Sequence, residues 1–233
     1  MVVKKSASEL LQNYIPLVEF LGSVMGQHCE VVLHDIRNLE SSIIAIKNNH
    51  ISNRNVGGSI TDLALKILKE KSYANKDFLI NYAGKTQEGK IVKSSTFFIK
   101  DLNEEVIGLL CFNMDVGCMI ETKNLLDNLI NGSSQVGANG LQLNGRELGE
   151  PCDTFEDLHT SIEDLTTSII LKTLSEVEVP PERMSPDEKM EIVSKLNERG
   201  VFLIKGAVSE VAANLKSSDA TIYRYLQKID IKY

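Results

Sequence analysis

The run LKSSDATIYRYLQK gathers Lys216, Ser217, Ser218, Thr221, Tyr223, Arg224 and Lys228 into little more than the length of one helix. Hydroxyls such as Ser218 and Thr221 can bond base edges or backbone, Tyr223 suits a phosphate, and Arg224 can hold a phosphate or read guanine. Lys216 and Lys228 supply electrostatic anchors. Such a set meets a duplex only if one helix carries it outward, and the apolar residues permit that. Ile222, Leu226 and Ile229 fall on the opposite side. Just upstream, Val208, Val211, Ala212 and Leu215 form one face of a preceding helix, with Ala212 small enough for a steep crossing and the Lys216 to Ser218 segment as the turn. The pattern is a helix-turn-helix over about 206 to 229, whose second helix would enter the major groove of double-stranded DNA by its N-terminal end. Asp219 is discordant there, unless it caps the helix or accepts from cytosine.

A second set lies far from the first. His34 and Asp35 end one apolar run, Arg54 sits in a glycine-bearing loop, Asn81 and Tyr82 follow, Ser94, Ser95 and Thr96 lie in a strand-like run, and Asn113 in another. Convergent polar groups among apolar strands are what a small-molecule pocket needs. Arg54 and the serine cluster favour an amino acid or small carboxylate as effector. His34 with Asp35 could also serve as an acid and base pair, which is the enzymatic alternative. No phosphate-cradling glycine motif and no nucleophile elbow accompanies them. The histidines His28, His34, His50 and His159 and the cysteines Cys29, Cys111, Cys118 and Cys152 lack metal-site or haem-attachment spacing, so no cofactor or metal is expected and the thiols read as structural.

The elements that must position these groups are legible by period. Leu10, Leu11, Tyr14, Leu17, Val18, Leu21 and Met25 predict an amphipathic helix over 7 to 25, with Pro16 as kink or late start and Gly22 and Gly26 at its fraying end. CEVVLHD, SSIIAIKN, KSSTFFIKD and VIGLLCFNMD read as strands, the last two joined as a hairpin. TDLALKILKEK reads as a short capped helix between them. The result is an α+β sensor domain with a mainly antiparallel sheet over 1 to 120, a linker and connector over 121 to 183, and an all-α domain over 184 to 233. Ser185 and Pro186 open that last domain, and Gly200 closes its first helix. Phe155, Leu158, Ile162, Leu165 and Ile169 recur at steps of three and four, a seam that predicts pairing of two chains, with a single helix laid on its own sensor domain as the alternative. Its acidic outer face would suit an adaptor that docks a protein, a further alternative.

Charge weighs against the DNA reading and then relents. The net charge is −7. Residues 150 to 183 hold nine acids against two bases, whereas residues 184 to 233 hold eight bases against seven acids. The acidity belongs to the connector. No apolar run reaches the roughly 18 residues of a membrane helix, and the opening MVVKKSASELLQNY has no signal-peptide core. A cytoplasmic protein without membrane partners is expected.

The chain resembles the YheO-like regulators, which pair a PAS-like domain with a C-terminal helix-turn-helix. The resemblance rests on YIPLVEFLGSVMGQHCEVVLHDIRNLESSIIAIKNNHISNR, VGGSITDLALKIL, NYAGKTQEGKIVKSSTFFIKD with IGLLCFNMD, and AVSEVAANLKSSDATIYRYLQKI. It implies a PAS-like sheet with flanking helices, a winged or simple helix-turn-helix, a small ligand held between sheet and helices, and a role in transcription. Asn53 before Arg54, and Gly57 with Gly58 after it, depart from the glycine and arginine that follow HIS in that family.

Overall fold

A computed structural model describes residues 7–71, 73–74, 76–131, 142–143, 146–147, 156–177 and 179–230. The expected first helix is two. Ala7–Gln12 (α1) ends before Tyr14, and Ile15–Met25 (α2) restarts with Pro16 in its first turn, where the missing N–H costs nothing. Gly22 is not a fraying end. It is buried, and a Cβ there would lie 2.4 Å from Lys47 Cγ, so glycine lets α2 lie flat on the sheet.

Cys29–Asp35 (β1), Ile43–Lys47 (β2), Asp62–Glu70 (α3), Phe78–Thr86 (β3), Ile91–Lys100 (β4) and Val106–Asp115 (β5) follow. Two short strands, Gln142–Leu143 (β6) and Arg146–Glu147 (β7), pair separately. Glu156–Leu158 (β8) returns to the main sheet, whose order is β2-β1-β5-β4-β3-β8. All pairs in it are antiparallel except β3 with β8, which is parallel. β3 is a strand absent from the periodicity reading, because a bulge between Leu79 and Tyr82 with Asn81 at φ +60° breaks the alternation.

One sheet face is covered by α1 and α2, with Leu11, Val18, Val31, Leu33 and Leu110 in its core. The other face is continuous with a larger core shared by α3 and the helical half. Gly117–Asn131 (α4) leaves the sheet after β5 and carries exposed Met119, Leu125, Leu126, Leu129 and Ile130. None of the described helices is long and apolar enough to cross a membrane.

Ile162–Ser175 (α5), Pro186–Glu198 (α6), Ala207–Asn214 (α7) and Asp219–Asp230 (α8) complete the chain. Ser161 caps α5, and Ser185 forms a reciprocal capping box with Glu188 on α6. The seam expected to pair two chains is used within one. Leu158 is a strand residue, Leu165 and Ile169 are buried against α6 and α7, and Phe155 lies outside the described residues. The cause is competition for the same apolar stripe, which α6 and α7 already cover. α3 also touches α6, and just beyond α6 a Cβ added to Gly200, at φ +77°, would lie 2.9 Å from Leu65 O.

Candidate functional site

The C-terminal helix pair is built from its buried stripe. Ile222, Tyr225 and Ile229 of α8 are buried with Val211, Ala212 and Leu215, while Leu226 and Val208 are half-buried. Tyr225 is the core member that periodicity leaves unnamed. Ala212 O accepts from Ser217 N at 2.9 Å, and Lys216 takes the left-handed conformation, φ +49°, so the chain reverses tightly between α7 and α8. Lys189 on α6 pins that turn, its Nζ 3.3 Å from Ser217 Oγ and 3.4 Å from Lys216 O. Ser218 caps α8, its Oγ accepting from Thr221 N at 3.3 Å and lying 3.0 Å from Thr221 Oγ1. Asp219 is not loose against incoming phosphate: Ser209 Oγ donates to it at 2.6 Å. That leaves Lys216, Tyr223, Arg224 and Lys228 exposed, with Arg224 lying 5.8 Å from the Tyr225 ring centre. Ser217 and Thr221 are half-buried and already hydrogen-bonded, so their first role is to shape the turn.

The interior of the sheet domain follows from strand register, since residues opposite one another in an antiparallel pair share a face. Glu30 pairs with Asn113, Asn113 with Ser94, and Ser94 with Tyr82, so one rung across four strands is polar. Val32, Cys111 and Thr96 form the next rung, and His34, Leu109 and Phe98 the one after. Asn113 Nδ2 donates to Glu30 Oε1 at 2.8 Å, and Ser94 Oγ donates to Asn113 Oδ1 at 2.9 Å. Tyr82 Oη lies 2.8 Å from Thr96 Oγ1, which lies 3.2 Å from Cys111 Sγ. From the loop after β2, Arg54 Nη2 reaches Glu30 Oε1 at 3.1 Å and Arg54 Nε bonds Ser52 Oγ at 3.2 Å, while Ser52 donates to Glu30 Oε2. Both charged side chains are almost wholly buried.

β8 brings a second acid into this interior. Gly84 pairs with Glu156 and has no side chain to obstruct it. Thr61 Oγ1, the cap of α3, donates to Glu156 Oε1 at 2.6 Å, and Asp62 Oδ1 accepts from Asp157 N at 2.9 Å. Glu156 Oε2, Arg54 Nη1 and Ser59 Oγ are buried without a hydrogen-bond partner. Burial raises the Glu156 carboxyl against the lowering effects of the Thr61 hydroxyl, the Arg54 charge and the Tyr82 hydroxyl. Burial likewise lifts Asp62 to about 7, lifts Cys111 to about 12 and pushes Tyr82 well above its usual range. It also drives His34 down to about 3, with Arg54 adding to the effect, so this imidazole stays neutral.

His34, Arg54, Tyr82, Ser94, Thr96 and Asn113 therefore share one interior, with His34 Nδ1 2.8 Å from Ser42 Oγ. Asp35 does not belong to it. Successive strand residues point to opposite faces, and Asp35 is held by Arg37 Nε at 2.8 Å, which keeps its carboxyl below the usual range. The two cannot form an acid and base pair. Sequence reasoning misses Glu30, Ser52, Thr61 and Glu156.

Comparison with known proteins completes the picture. Residues 5–131 match the YheO-like PAS domain model, and residues 165–227 match an HTH domain model. The chain is 31% identical to YheO of Escherichia coli K12 over 94% of its own length and 85% of that protein's. It belongs to the YheO-like family. An uncharacterised Haemophilus influenzae relative is also 31% identical, over 94% and 91% of the two chains. The transcriptional regulator DauR of Pseudomonas aeruginosa is 24% identical over 94% of each. The chain thus joins a YheO-like PAS domain to an HTH domain, and the fold described above has that α+β arrangement.

Proposed function

We propose that the chain is a ligand-responsive transcriptional regulator: the PAS-like domain senses a small molecule, and α8 reads an operator in double-stranded DNA. The observation that carries this is the division of α8. Ile222, Tyr225 and Ile229 fill the core, while Tyr223, Arg224 and Lys228 stand in solvent beside Lys216. In this motif Arg224 reads or clasps DNA, Lys216 and Lys228 neutralise phosphate, Ser217, Ser218 and Thr221 shape the helix entry, and Tyr223 meets the backbone. Lys189 joins the basic set.

The sensor site consists of Arg54, Tyr82, Ser94, Thr96, Asn113 and His34. A second copy of the chain completes the regulator, packing through the exposed apolar residues of α4, because two reading helices on one duplex need a symmetric partner. Fluorescence anisotropy of the full chain on DNA from upstream of its own gene tests the reading. Affinity should fall steeply with salt, and Arg224→Ala in a dimer should reduce the log-log salt slope by about 2, near 0.9 for each phosphate no longer neutralised. Binding that is indifferent to salt and to Arg224 overturns it.

A further inference from the structure

Asp219 stands exposed at the first position of α8, on a surface whose other charges, Lys216, Arg224 and Lys228, are basic. Neither capping nor packing accounts for it. Ser218 already caps α8, its Oγ accepting from Thr221 N, and the α7–α8 core is made by Val211, Ala212, Ile222 and Tyr225. On a face that meets phosphate, a carboxylate opposes binding to every sequence alike. Asp219 is nonetheless fixed in place. Ser209 Oγ reaches across from α7 and donates to Asp219 Oδ2 at 2.6 Å. Both residues are exposed, so the bond adds little to stability, and what it sets is a direction. One carboxylate oxygen is thereby occupied. The other, Oδ1, takes no hydrogen bond among the described residues and lies at the end of the helix that leads into the groove in this motif.

A carboxylate only accepts hydrogen bonds. Two bases offer a donor in the major groove, cytosine through N4 and adenine through N6. Adenine sets its N7 acceptor beside that donor, where a carboxylate meets repulsion, whereas cytosine's own edge carries no acceptor there. Ala220, next to Asp219, is exposed and small, so the leading turn of α8 can approach base edges closely. Resting on the operator reading above, we infer that Asp219 is a specificity-determining residue that accepts from the N4 amino group of one cytosine in each half-site, and that Ser209 is the positioning residue that aims it. Two helices then act on one base: α8 carries the acceptor and α7 sets its angle. The acid weakens binding to DNA in general and returns the loss only where cytosine stands, so discrimination grows from both sides.

Selection of duplexes from a random-sequence library by the full chain, followed by fluorescence anisotropy on the recovered sites, tests this. The wild-type motif should hold a cytosine position at which exchange of C·G for T·A weakens binding about ten-fold. Asp219→Asn should move that position alone to adenine, whose N6 and N7 suit an amide. Ser209→Ala should keep the motif but lose most of the preference at that position, and Ser209→Thr, which retains the hydroxyl, should restore it. Asp219→Ala should bind unselected duplexes more tightly than the wild type does, since a like charge has left the interface. A bond that only braces α7 against α8 would weaken all sites together and leave the motif as it was. An Asp219→Asn motif equal to that of the wild type, or a wild-type motif with no such cytosine, overturns the assignment and leaves the operator reading intact. The second of these needs no variant, so the test holds even if a substitution unfolds the chain. Recovery of no common sequence at all would instead remove the operator reading itself.

Discussion

Replacing Arg54 by alanine removes one of the two opposite charges buried together in the sheet domain. Its guanidinium lies 3.1 Å from Glu30 Oε1, with both side chains at 1% exposure or less. At an effective dielectric near 20, unit charges at that distance attract by about 5 kcal/mol. The variant forfeits this attraction, but Glu30 keeps the Asn113 amide and the Ser52 hydroxyl, so it is not left bare. Removing one partner of a buried pair costs about 3–5 kcal/mol, and the retained donors place Arg54→Ala in the lower half of that range. Against a total stability of about 5–15 kcal/mol the loss is large. The chain has no tryptophan, so urea unfolding followed by far-UV circular dichroism is the natural assay. Glu30→Gln removes the opposite charge while keeping one acceptor oxygen, enough for Asn113. The double variant should therefore be less damaged than the sum of the two singles, by about 1–3 kcal/mol. A loss below about 1 kcal/mol for Arg54→Ala, the range of solvated surface pairs, together with no coupling in the cycle, would refute the picture of a sealed ionic interior.

Gly200→Ala should destabilise the chain by about 1–3 kcal/mol in the same assay, because residue 200 sits at φ +77° and its new methyl would press on Leu65 O at 2.9 Å. Ile222→Ala should cost about 2–5 kcal/mol, whereas Tyr223→Ala should change stability by no more than about 0.5 and weaken DNA binding instead. Between about pH 4 and 7 the folded chain holds a proton on Asp62 that the unfolded chain has released, so this group alone makes stability fall as pH rises. His34 acts oppositely: its imidazole is neutral in the fold down to about 3, while unfolded chains take up a proton below 6.5, so stability climbs with pH across that interval. Asp62→Asn should remove one of the carboxyls that oppose the His34 limb, the raised Glu156 being another, and steepen the rise between about pH 4 and 6.5, as read from urea midpoints. Charging the α4 stripe with Leu126→Asp and Ile130→Asp should yield monomers by native mass spectrometry and abolish high-affinity operator binding.

Period-based reading recovers most elements because their apolar residues face one core. It fails where geometry departs from a regular repeat. β3 hides behind the Asn81 bulge, and the first helix looks continuous because Leu10 to Met25 keep phase across the break at Tyr14. Glu30 is accessible in principle: alternation in CEVVLHD sets Glu30, Val32 and His34 on one face, and His34 alone draws notice. Glu156 is not accessible. It lies in an acid-rich stretch, where a carboxylate is ordinarily solvated, and its burial depends on a parallel pairing with Gly84 that no local pattern announces. The reading helix shows the reverse case. Spacing groups the hydroxyl and basic residues on one helix, but that Ser218 spends its oxygen on capping and that Lys189 reaches in from α6 are facts of packing.

The apolar interior runs unbroken from Val32 and Leu109 through Leu63 and Leu65 to Leu196, Val211 and Ile222. Apolar side chains of both halves meet there directly. A chimera joining this sheet domain to a relative's helical domain would have to match a whole molded seam, and a helical half cut free would bare oily surface to water. If α8 reads an operator as proposed, its choice is re-tuned most cheaply by editing the few side chains on the outer flank of α8, not by trading cassettes.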